Sequence, residues 1–246
     1  MIVLCGGIKG GIGKTTVATN LAVMRATERG PGQVALIDAD PQESSFKFTQ
    51  LRNDTMSAAG FNCFKITGKP VRTEVQGLAS KYGDIIIDAG VGDSTGQRAA
   101  LTVADVVVLP FRPGSYDVWT IGDLTQLIDE MRDVNPVLRA VAFINQGDHQ
   151  GRDNSEAADM LRESESVSVI DVCLGYRKAF RNTATGKAVT ELFPQDGKAI
   201  AEMTALYGAI FNPSTVAQND AEKNLSDYEK NCVDAEKNLF EQERVS

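Results

Sequence analysis

One glycine-rich stretch constrains the fold of this chain more than any other part of it. Residues 9–16 read Lys-Gly-Gly-Ile-Gly-Lys-Thr-Thr, directly after the short apolar run Ile2 to Cys5 and at the start of a helical pattern. A strand, a glycine-rich loop and a helix N-terminus in this order favour phosphate binding, because backbone N–H groups and the helix dipole both face the anion. Lys14 can then reach the β- and γ-phosphates of a nucleotide, and the Thr15 hydroxyl can ligate Mg²⁺.

The stretch departs from the usual phosphate-loop pattern at one position. The pattern G-x-x-x-x-G-K-[ST] requires glycine at position 8, where this chain has Ile8. A second lysine, Lys9, stands five residues before Lys14. Lys9 is either an ordinary surface lysine or a second cation for phosphates. On a short loop already wrapped around its own nucleotide, it is better placed to serve a nucleotide held by another chain.

Composition is that of a globular protein with one sizeable core. The 246 residues are 42% apolar and 24% charged, enough for a full α/β domain. No apolar run approaches the ~20 residues that a membrane-spanning helix needs, and no export signal is visible, so a cytoplasmic location is expected. The four cysteines are widely spaced, without metal-ligand spacing, which favours buried reduced thiols.

Apolar runs alternate with helical patterns along the chain. This alternation predicts a P-loop α/β fold with a doubly wound, mostly parallel sheet over residues 1–216 and a helical tail over residues 217–246. Beyond the first strand, the predicted strands are Val34 to Ile37, Phe61 to Ile66, Asp84 to Asp88, Val106 to Pro110, Val137 to Ile144 and Val167 to Leu174. The predicted helices are Lys14 to Glu28, Glu43 to Asn53, Val71 to Tyr82, Gln97 to Val103, Val118 to Arg132, Asp153 to Glu163 and Ala199 to Phe211.

Acidic residues follow two of the predicted buried strands. Asp38 and Asp40 end the second strand, and Asp88 ends the fourth. Open α/β sheets bind ligands outside the carboxyl ends of their strands, so these acids are candidates to act with the phosphate loop. The alternative is that they are simple strand-end caps. Their order after a phosphate loop favours the functional interpretation.

Four basic residues fall within eleven positions without an acid among them: Arg177, Lys178, Arg181 and Lys187. Basic side chains can neutralise DNA backbone phosphates without reading sequence, and such binding weakens steeply with salt. The alternative is an ordinary solvated face. With a net charge of −8, any nucleic-acid surface has to be a local basic patch.

The tail is acidic and has a seven-residue period. Glu-Lys-Asn recurs at 222, 229 and 236, and residues 220–246 hold eight acids and four bases. Its apolar stripe has coiled-coil spacing but a poor core, so an amphipathic helix that docks on this domain or on a partner is preferred to an independent coiled coil. An acidic helix would be repelled by anionic lipid, which argues against a membrane partner.

The motif Lys-Gly-Gly-x-Gly-Lys-Thr-Thr resembles the deviant Walker A box of the ParA/MinD ATPases. The resemblance covers roughly residues 1–212, through Asp38-Ala39-Asp40-Pro41-Gln42 and Ile85-Ile86-Ile87-Asp88. The Asp-x-Asp-Pro-Gln form is more similar to ParA, the plasmid and chromosome partition ATPase, than to MinD. Larger partition ATPases carry an N-terminal helix-turn-helix, and nothing here resembles it.

The resemblance implies ATP and Mg²⁺ as cofactors and a role for each motif residue. Lys9 would cross a nucleotide-sandwich dimer interface to the partner's phosphates, Asp38 would orient a water on Mg²⁺, Asp88 would be the Walker B acid, and Asp40 would position the attacking water. Catalytic roles thus fall on Lys9, Lys14 and Asp40, and metal binding on Thr15, Asp38 and Asp88. The implied nucleotide-binding residues are Lys9, Gly10, Gly11, Ile12, Gly13, Lys14, Thr15, Thr16, Asn145 and Gln146.

Several of these assignments remain open at the level of sequence. Asn145 and Gln146 stand where family members contact adenine, but they are equally consistent with ordinary strand-end residues. The guanine-selecting Asn-Lys-x-Asp pattern is missing. By resemblance, Arg177, Lys178, Arg181 and Lys187 would bind nucleoid DNA in the dimer, and a centromere-binding adaptor would stimulate slow ATP hydrolysis.

Three functions are therefore expected to compete. The first is DNA (plasmid) partition by an ATP-dependent homodimer that binds non-specific DNA. The second is the positioning of a protein cargo or conjugation complex by the same engine. The third is a metabolic enzyme on the same scaffold. DNA retention with ATP but not with ADP separates the first two from the third.

Overall fold

The computed structural model of the chain describes residues 1–56, 58–91, 94–114, 118–148 and 152–213. Its centre is a seven-stranded sheet in the order β3-β2-β4-β1-β5-β6-β7, and every strand pair is parallel. The strands are β1 (Ile2–Cys5), β2 (Val34–Ala39), β3 (Asn62–Lys65), β4 (Asp84–Ala89), β5 (Val106–Phe111), β6 (Arg139–Gly147) and β7 (Ser168–Gly175).

Eight α-helices occur in the described part of the chain. They are α1 (Lys14–Arg29), α2 (Ser44–Met56), α3 (Pro70–Leu78), α4 (Thr95–Leu101), α5 (Val118–Arg132), α6 (Asp153–Arg162), α7 (Lys178–Asn182) and α8 (Gly197–Phe211). Two short 3₁₀ turns, Thr183–Thr185 and Val189–Glu191, lie between α7 and α8. The predicted doubly wound α/β fold is thereby confirmed.

The central strands are apolar along their whole length because helices cover both faces of the sheet. Every residue of β2, β4 and β5 is buried. β1 lies between β4 and β5, in register with both. The chain therefore winds outward in two directions from β1, and the carboxyl ends of these strands form the crevice in which such sheets bind ligands.

An ion cluster closes the opposite, amino-terminal edge of the sheet. Asp84, at the start of β4, is buried and accepts hydrogen bonds from Arg25 Nε at 2.8 Å and Arg29 Nε at 3.0 Å. The amino group of Met1 lies 3.4 Å from the same carboxylate. Burial alone would raise the pKa of Asp84, but these cations hold it below its ordinary value. The cluster ties α1 to β4 and to the chain start.

Element boundaries differ from the sequence predictions in a few places. α3 ends at Leu78 rather than Tyr82, because the amides of Lys81 and Tyr82 both turn back to the Leu78 carbonyl. β6 continues to Gly147, three residues past its predicted end. α7 was not predicted, since five residues carry little periodicity. Among the cysteines that the structure describes, Cys5 is buried and Cys63 and Cys173 are half-buried, all with free thiols.

Contacts divide the chain into two compact units, residues 1–206 and 207–246. The first contains all seven strands. Of the second, the structure describes residues 207–213, where the rings of Tyr207 and Phe211 lie 4.7 Å apart. The predicted acidic helical tail, 217–246, lies outside the described residues. None of the helices that the structure describes combines the length and the apolar composition needed to cross a lipid bilayer.

Candidate nucleotide-binding site

The phosphate loop follows β1 directly and leads into α1. Gly11 and Gly13 have φ angles of 72° and 88°, which side-chain-bearing residues rarely adopt. Gly13 also has no room for a side chain, since a Cβ there would lie 2.4 Å from Asn145 Nδ2. Two of the loop glycines are therefore required by backbone geometry, and one of them by packing as well.

The Lys14 side chain lies inside the loop rather than in solvent. Lys14 is buried, and its Nζ donates a hydrogen bond to the Lys9 carbonyl oxygen at 3.0 Å. Burial lowers the pKa of Lys14, while the carboxylates of Asp88 and Asp40 oppose that change. An ammonium group held beneath a curved loop is in position to meet phosphate oxygens.

Asn145 and Gln146, at the end of β6, hold the loop from the other side. Asn145 Nδ2 donates to the Ile12 carbonyl at 2.6 Å, and Gln146 Nε2 donates to the Gly11 carbonyl at 2.9 Å. Gln146 has a φ of 56°, so the backbone turns sharply there to present the amide. Both residues therefore support the backbone of the loop. Adenine contact by them stays a prediction.

Gln97, in α4, is a loop-supporting residue that the sequence did not reveal. It is buried, and its Oε1 accepts a hydrogen bond from the Gly7 amide at 3.0 Å. α4 begins just before it with a Ser94 cap, whose Oγ accepts from the Gln97 amide at 3.1 Å. A lone glutamine on a short helix carries no sequence signal, because its partner is 90 residues away.

Asp38 links the end of β2 to the start of α2. Its Oδ1 accepts from the Asp40 amide at 3.1 Å, and its Oδ2 accepts from the Phe46 amide at 2.8 Å. Burial raises the pKa of Asp38, and these backbone hydrogen bonds act against the rise. Asp38 thus satisfies free amides in the first turn of α2, so the strand-cap interpretation is part of its role.

Asp88 ends β4 in the fully buried interior of the site. Its Oδ2 accepts a short hydrogen bond from the Ser45 hydroxyl, whereas its Oδ1 is buried and has no hydrogen-bond partner among the described residues. Burial raises the pKa of Asp88 to about 7, although hydrogen bonds from Ser45 and Thr15 lower it. Ser45 was not predicted from sequence, and it joins α2 to this carboxylate.

The oxygens around Asp88 suit a magnesium ion. The Thr15 hydroxyl and the two carboxylates, Asp38 and Asp88, are hard oxygen donors, and Asp88 Oδ1 is a buried acceptor whose hydrogen-bonding capacity is unused. Mg²⁺ binds through few protein ligands and keeps several waters. No group of three His, Cys, Asp or Glu side chains suited to a metal occurs in the described part of the chain.

A cavity of about 400 Å³ opens in front of the loop. Its walls include residues 10–16, Asp40, Val91 and Gln146. Asp40 Oδ1 accepts from the Gln42 amide at 2.9 Å, which fixes the carboxylate at the wall. Lys9 is half-buried and is not among the described residues that line this cavity, although its neighbour Gly10 is.

The four basic residues of the predicted DNA surface have different surroundings. Lys178 and Arg181 are exposed and Lys187 is half-buried. Arg177 is paired with Glu202 of α8, with Nη2 to Oε1 at 2.6 Å and Nε to Oε2 at 3.0 Å. The sequence run lacks acids, but folding brings one in from α8 and neutralises Arg177.

The chain just after the basic segment contacts α1 near the phosphate loop. Asn20 Nδ2 donates to the Thr16 carbonyl at 2.7 Å, and Asn20 Oδ1 accepts from the Val189 amide at 2.7 Å. A recess of about 370 Å³ is lined by Arg181 together with Thr15 and Thr16. Arg181 therefore lies on the same side of the molecule as these two threonines. The phosphate loop and α7 are therefore neighbours in this structure.

Known proteins are similar to this chain in sequence or in fold. The chain is 24% identical over 205 residues to Maintenance of carboxysome distribution protein A of Halothiobacillus neapolitanus, which covers 82% of this chain and 93% of that protein. A plasmid partition protein of Borrelia burgdorferi bound to AMPPNP has a similar fold, with a TM-score of 0.66, 18% identity and coverage of 86% and 98%.

The septum site-determining protein MinD of Pyrococcus horikoshii, complexed with Mg-ADP, is a further structural match. It gives a TM-score of 0.65 at 16% identity, and the match covers 87% of this chain and 97% of that one. The model of the CobQ/CobB/MinD/ParA nucleotide-binding domain matches residues 2–189. With more than half of its length matched, the chain belongs to the CobQ/CobB/MinD/ParA family of nucleotide-binding domains.

Proposed function

We propose that this chain is a slow ATPase that forms a homodimer around two ATP molecules, binds DNA without reading its sequence, and is released when a partner stimulates hydrolysis. The observation that carries the proposal is the different placement of two lysines on one loop. Lys14 lies inside the loop, whereas Lys9 is outside the set of residues that line the cavity. We infer from this placement that Lys9 serves the nucleotide of a second copy.

Hydrolysis would draw on the residues around the cavity. Mg²⁺, when bound, would neutralise charge on the phosphates. Thr15 and Asp88 would hold the ion, and Asp38 would orient a water on it. Asp40, fixed at the cavity wall, would position the attacking water. With Lys9 contributed only by the other subunit, the monomer would hydrolyse ATP slowly, and the protein would act as a timer.

DNA binding would use the surface around α7, principally Lys178, Arg181 and Lys187. Arg177 contributes less because Glu202 neutralises it. Dimerisation doubles the number of these cations and so raises DNA affinity by valency. The contacts of Asn20 with Thr16 and Val189 support a dependence of this surface on the nucleotide. The protein would then be cytoplasmic and associated with the nucleoid.

The cargo is the part of the proposal on which the relatives differ. Similarity over 205 residues to Maintenance of carboxysome distribution protein A favours the positioning of a protein assembly. The Asp-x-Asp-Pro-Gln sequence and the fold shared with the Borrelia plasmid partition protein favour plasmid partition. In either case an adaptor protein links the DNA-bound ATPase to the cargo, and for partition it would bind the centromere.

The deciding experiment measures oligomeric state and DNA binding together. With Mg²⁺ and AMPPNP, the wild-type protein is expected to become dimeric and to bind a random-sequence duplex, and with ADP it is expected to do neither. Lys9→Ala should still bind nucleotide but stay monomeric, with turnover at least about tenfold lower. Lys81→Ala is the matched control, since Lys81 is an exposed lysine at the opposite edge of the sheet.

Three results would contradict the proposal. A wild-type protein that stays monomeric with AMPPNP and Mg²⁺ removes the basis of the dimer and of the timer. Retention of full turnover by monomeric Lys9→Ala shows that Lys9 serves no second nucleotide. A dimer that forms with AMPPNP but ignores DNA would instead favour a metabolic enzyme of the same family.

A further inference from the structure

Phe193 has the most exposed large apolar side chain in the described part of the chain. Its ring is 95% exposed, and Pro194 beside it is exposed as well. A single exposed apolar residue needs no explanation by itself, because such residues are common on protein surfaces. Phe193 differs from such residues because its backbone segment is anchored on both sides and because lysines lie nearby.

The segment that carries Phe193 is held firmly on both sides. Before it, Glu191 forms a two-point ion pair with buried Arg52, with oxygen–nitrogen distances of 2.6 and 2.7 Å, and also accepts from the Ala188 amide at 2.9 Å. After it, Asp196 Oδ1 accepts from the Ala199 amide at 3.1 Å in the first turn of α8. The backbone that carries Phe193 is therefore anchored on both sides of the ring.

The surroundings of the ring are basic, although the protein is acidic overall. Phe193 lines a recess of about 700 Å³ together with Lys178, at the start of α7, and Lys198, at the start of α8. Asp196 is the acid in this lining, and one of its oxygens is already engaged by α8. In a chain with a net charge of −8, an aromatic ring that shares a recess with two lysines is complementary to a polyanion that also offers apolar faces.

Duplex DNA has this combination of properties. Its phosphates attract lysines in a salt-dependent way, and its base steps accept apolar side chains that partly unstack them. A protein surface would accept the ring too, but would not explain the flanking lysines equally well. The position of Phe193 beside Lys178, within the surface proposed above for DNA, favours the nucleic acid.

We propose that Phe193 inserts against a base step of duplex DNA while Lys178 and Lys198 contact neighbouring phosphates. The inference rests on the proposed function, because it requires that the ATP-bound protein binds DNA. It adds an apolar contact that reads no sequence and that salt does not screen. Phosphate contacts and ring insertion should therefore be separable by their salt dependence.

The test compares DNA affinity and its salt dependence in three variants. Binding to a random-sequence duplex is measured with Mg²⁺ and AMPPNP between 50 and 200 mM salt, on the order of the range in which phosphate contacts weaken steeply. Phe193→Ala should bind about tenfold more weakly with an unchanged slope of log affinity against log salt. Lys178→Ala should bind more weakly with a slope smaller by about 1. The control is Val137→Ala, an apolar residue 71% exposed at the other end of the sheet.

A fourth variant tests insertion directly. Phe193→Trp places an indole at the same point, and its fluorescence should be quenched by duplex DNA after subtraction of the signal from Trp119, the chain's one native tryptophan. Quenching together with the tenfold loss in Phe193→Ala supports the proposal. An emission that DNA leaves unchanged overturns it.

The remaining outcomes distinguish this inference from the function on which it rests. If the wild type binds DNA and Phe193→Ala binds equally well, the ring has no role in DNA binding, the proposed function stands, and a protein partner becomes the occupant to examine. If Phe193→Ala lowers the salt slope, the ring acts through the lysines and insertion is overturned. If the wild type fails to bind DNA with AMPPNP, both proposals fail.

Discussion

The chemistry of this site depends on which polar atoms of single side chains are hydrogen-bonded and which are not. Asp88 illustrates both, since one carboxylate oxygen is held by Ser45 and the other is buried without a hydrogen-bond partner in the described structure. Burial of a charge without full compensation is costly, and it raises the pKa of Asp88 to about 7 in the free protein.

Replacement of Asp88 should stabilise the free protein in a pH-dependent way. The native pKa is about 7, above the ordinary value of 3.8, so the native state holds a proton that the unfolded chain releases between these pH values. Wild-type stability therefore falls as the pH rises through this range. Asp88→Asn should raise Tm by at least about 3 °C more at pH 8 than at pH 4.5, measured in EDTA without nucleotide.

The same variant should lose Mg²⁺-dependent nucleotide binding, which separates the stability effect from function. Gln97→Asn is a useful comparison, because it perturbs the loop without altering charge. An equal change of Tm for Asp88→Asn at both pH values would show that Asp88 is already ionised in the free protein.

At the scale of elements, the sheet has two ends with different tasks. The carboxyl ends of the strands carry the loop and its acids, and the amino ends carry ion pairs. Asp84 begins β4 at that second end and fastens α1 through Arg25. Since α1 also begins at the phosphate loop, this ion cluster helps to fix the helix whose other end faces the nucleotide.

Loss of the Asp84 charge should destabilise the fold without touching the site. Asp84→Asn removes a buried carboxylate partner of buried Arg25, which keeps its contact with Glu28 at 2.9 Å, so the free energy of unfolding should fall by about 2–3 kcal/mol. Because the native pKa of Asp84 is lowered, its contribution is present above pH ~4 and is lost as the pH falls further. Urea unfolding at pH 7 and pH 3 measures both effects.

Arg29→Ala is the matched control for this cluster. Arg29 contacts the same carboxylate but its side chain is 51% exposed, so the substitution should cost less than about 1 kcal/mol. A loss as large as that of Asp84→Asn would mean that the exposed pair, rather than the buried one, holds α1.

At the scale of the whole molecule, charge is distributed unevenly. Residues 220–246 hold eight acids and four bases, a charge of −4, so half of the net −8 comes from the last 27 residues. A chain of this charge is repelled by DNA at long range, and binding depends on local cations that overcome the repulsion. The basic surface around α7 therefore has to bind DNA despite the repulsion from the net negative charge.

Removal of residues 217–246 should therefore strengthen DNA binding. The truncated protein has a net charge of −4, and its affinity for a random duplex with Mg²⁺ and AMPPNP should rise several-fold at about 50 mM salt and less at about 200 mM. The full-length variant with Glu222, Glu229, Glu236 and Glu243 changed to Gln carries the same charge and should gain equally. A gain on truncation alone would point to a contact rather than to net charge.

Much of the site was predictable because it is encoded locally. The strand, loop and helix of residues 2–29 lie within one short segment, and the acids near the ends of β2 and β4 follow apolar runs typical of buried strands. For the same reason a mostly parallel sheet was predicted from alternation alone, and every strand pair in the structure is parallel. These features depend on residues close together in the chain, which is the range over which a sequence pattern is informative.

The other half of the site depended on the order in which strands pair. Asn145 and Gln97 contact the loop although they are more than 80 residues away from it in the chain. Ser45, in α2, donates a hydrogen bond to Asp88, and Glu202, in α8, neutralises Arg177. No pattern along the chain encodes these pairs, because their distances are fixed by strand order and helix packing. The sequence by itself determined that a nucleotide-binding loop exists, and only the tertiary structure decided which side chains hold it and which cations remain exposed.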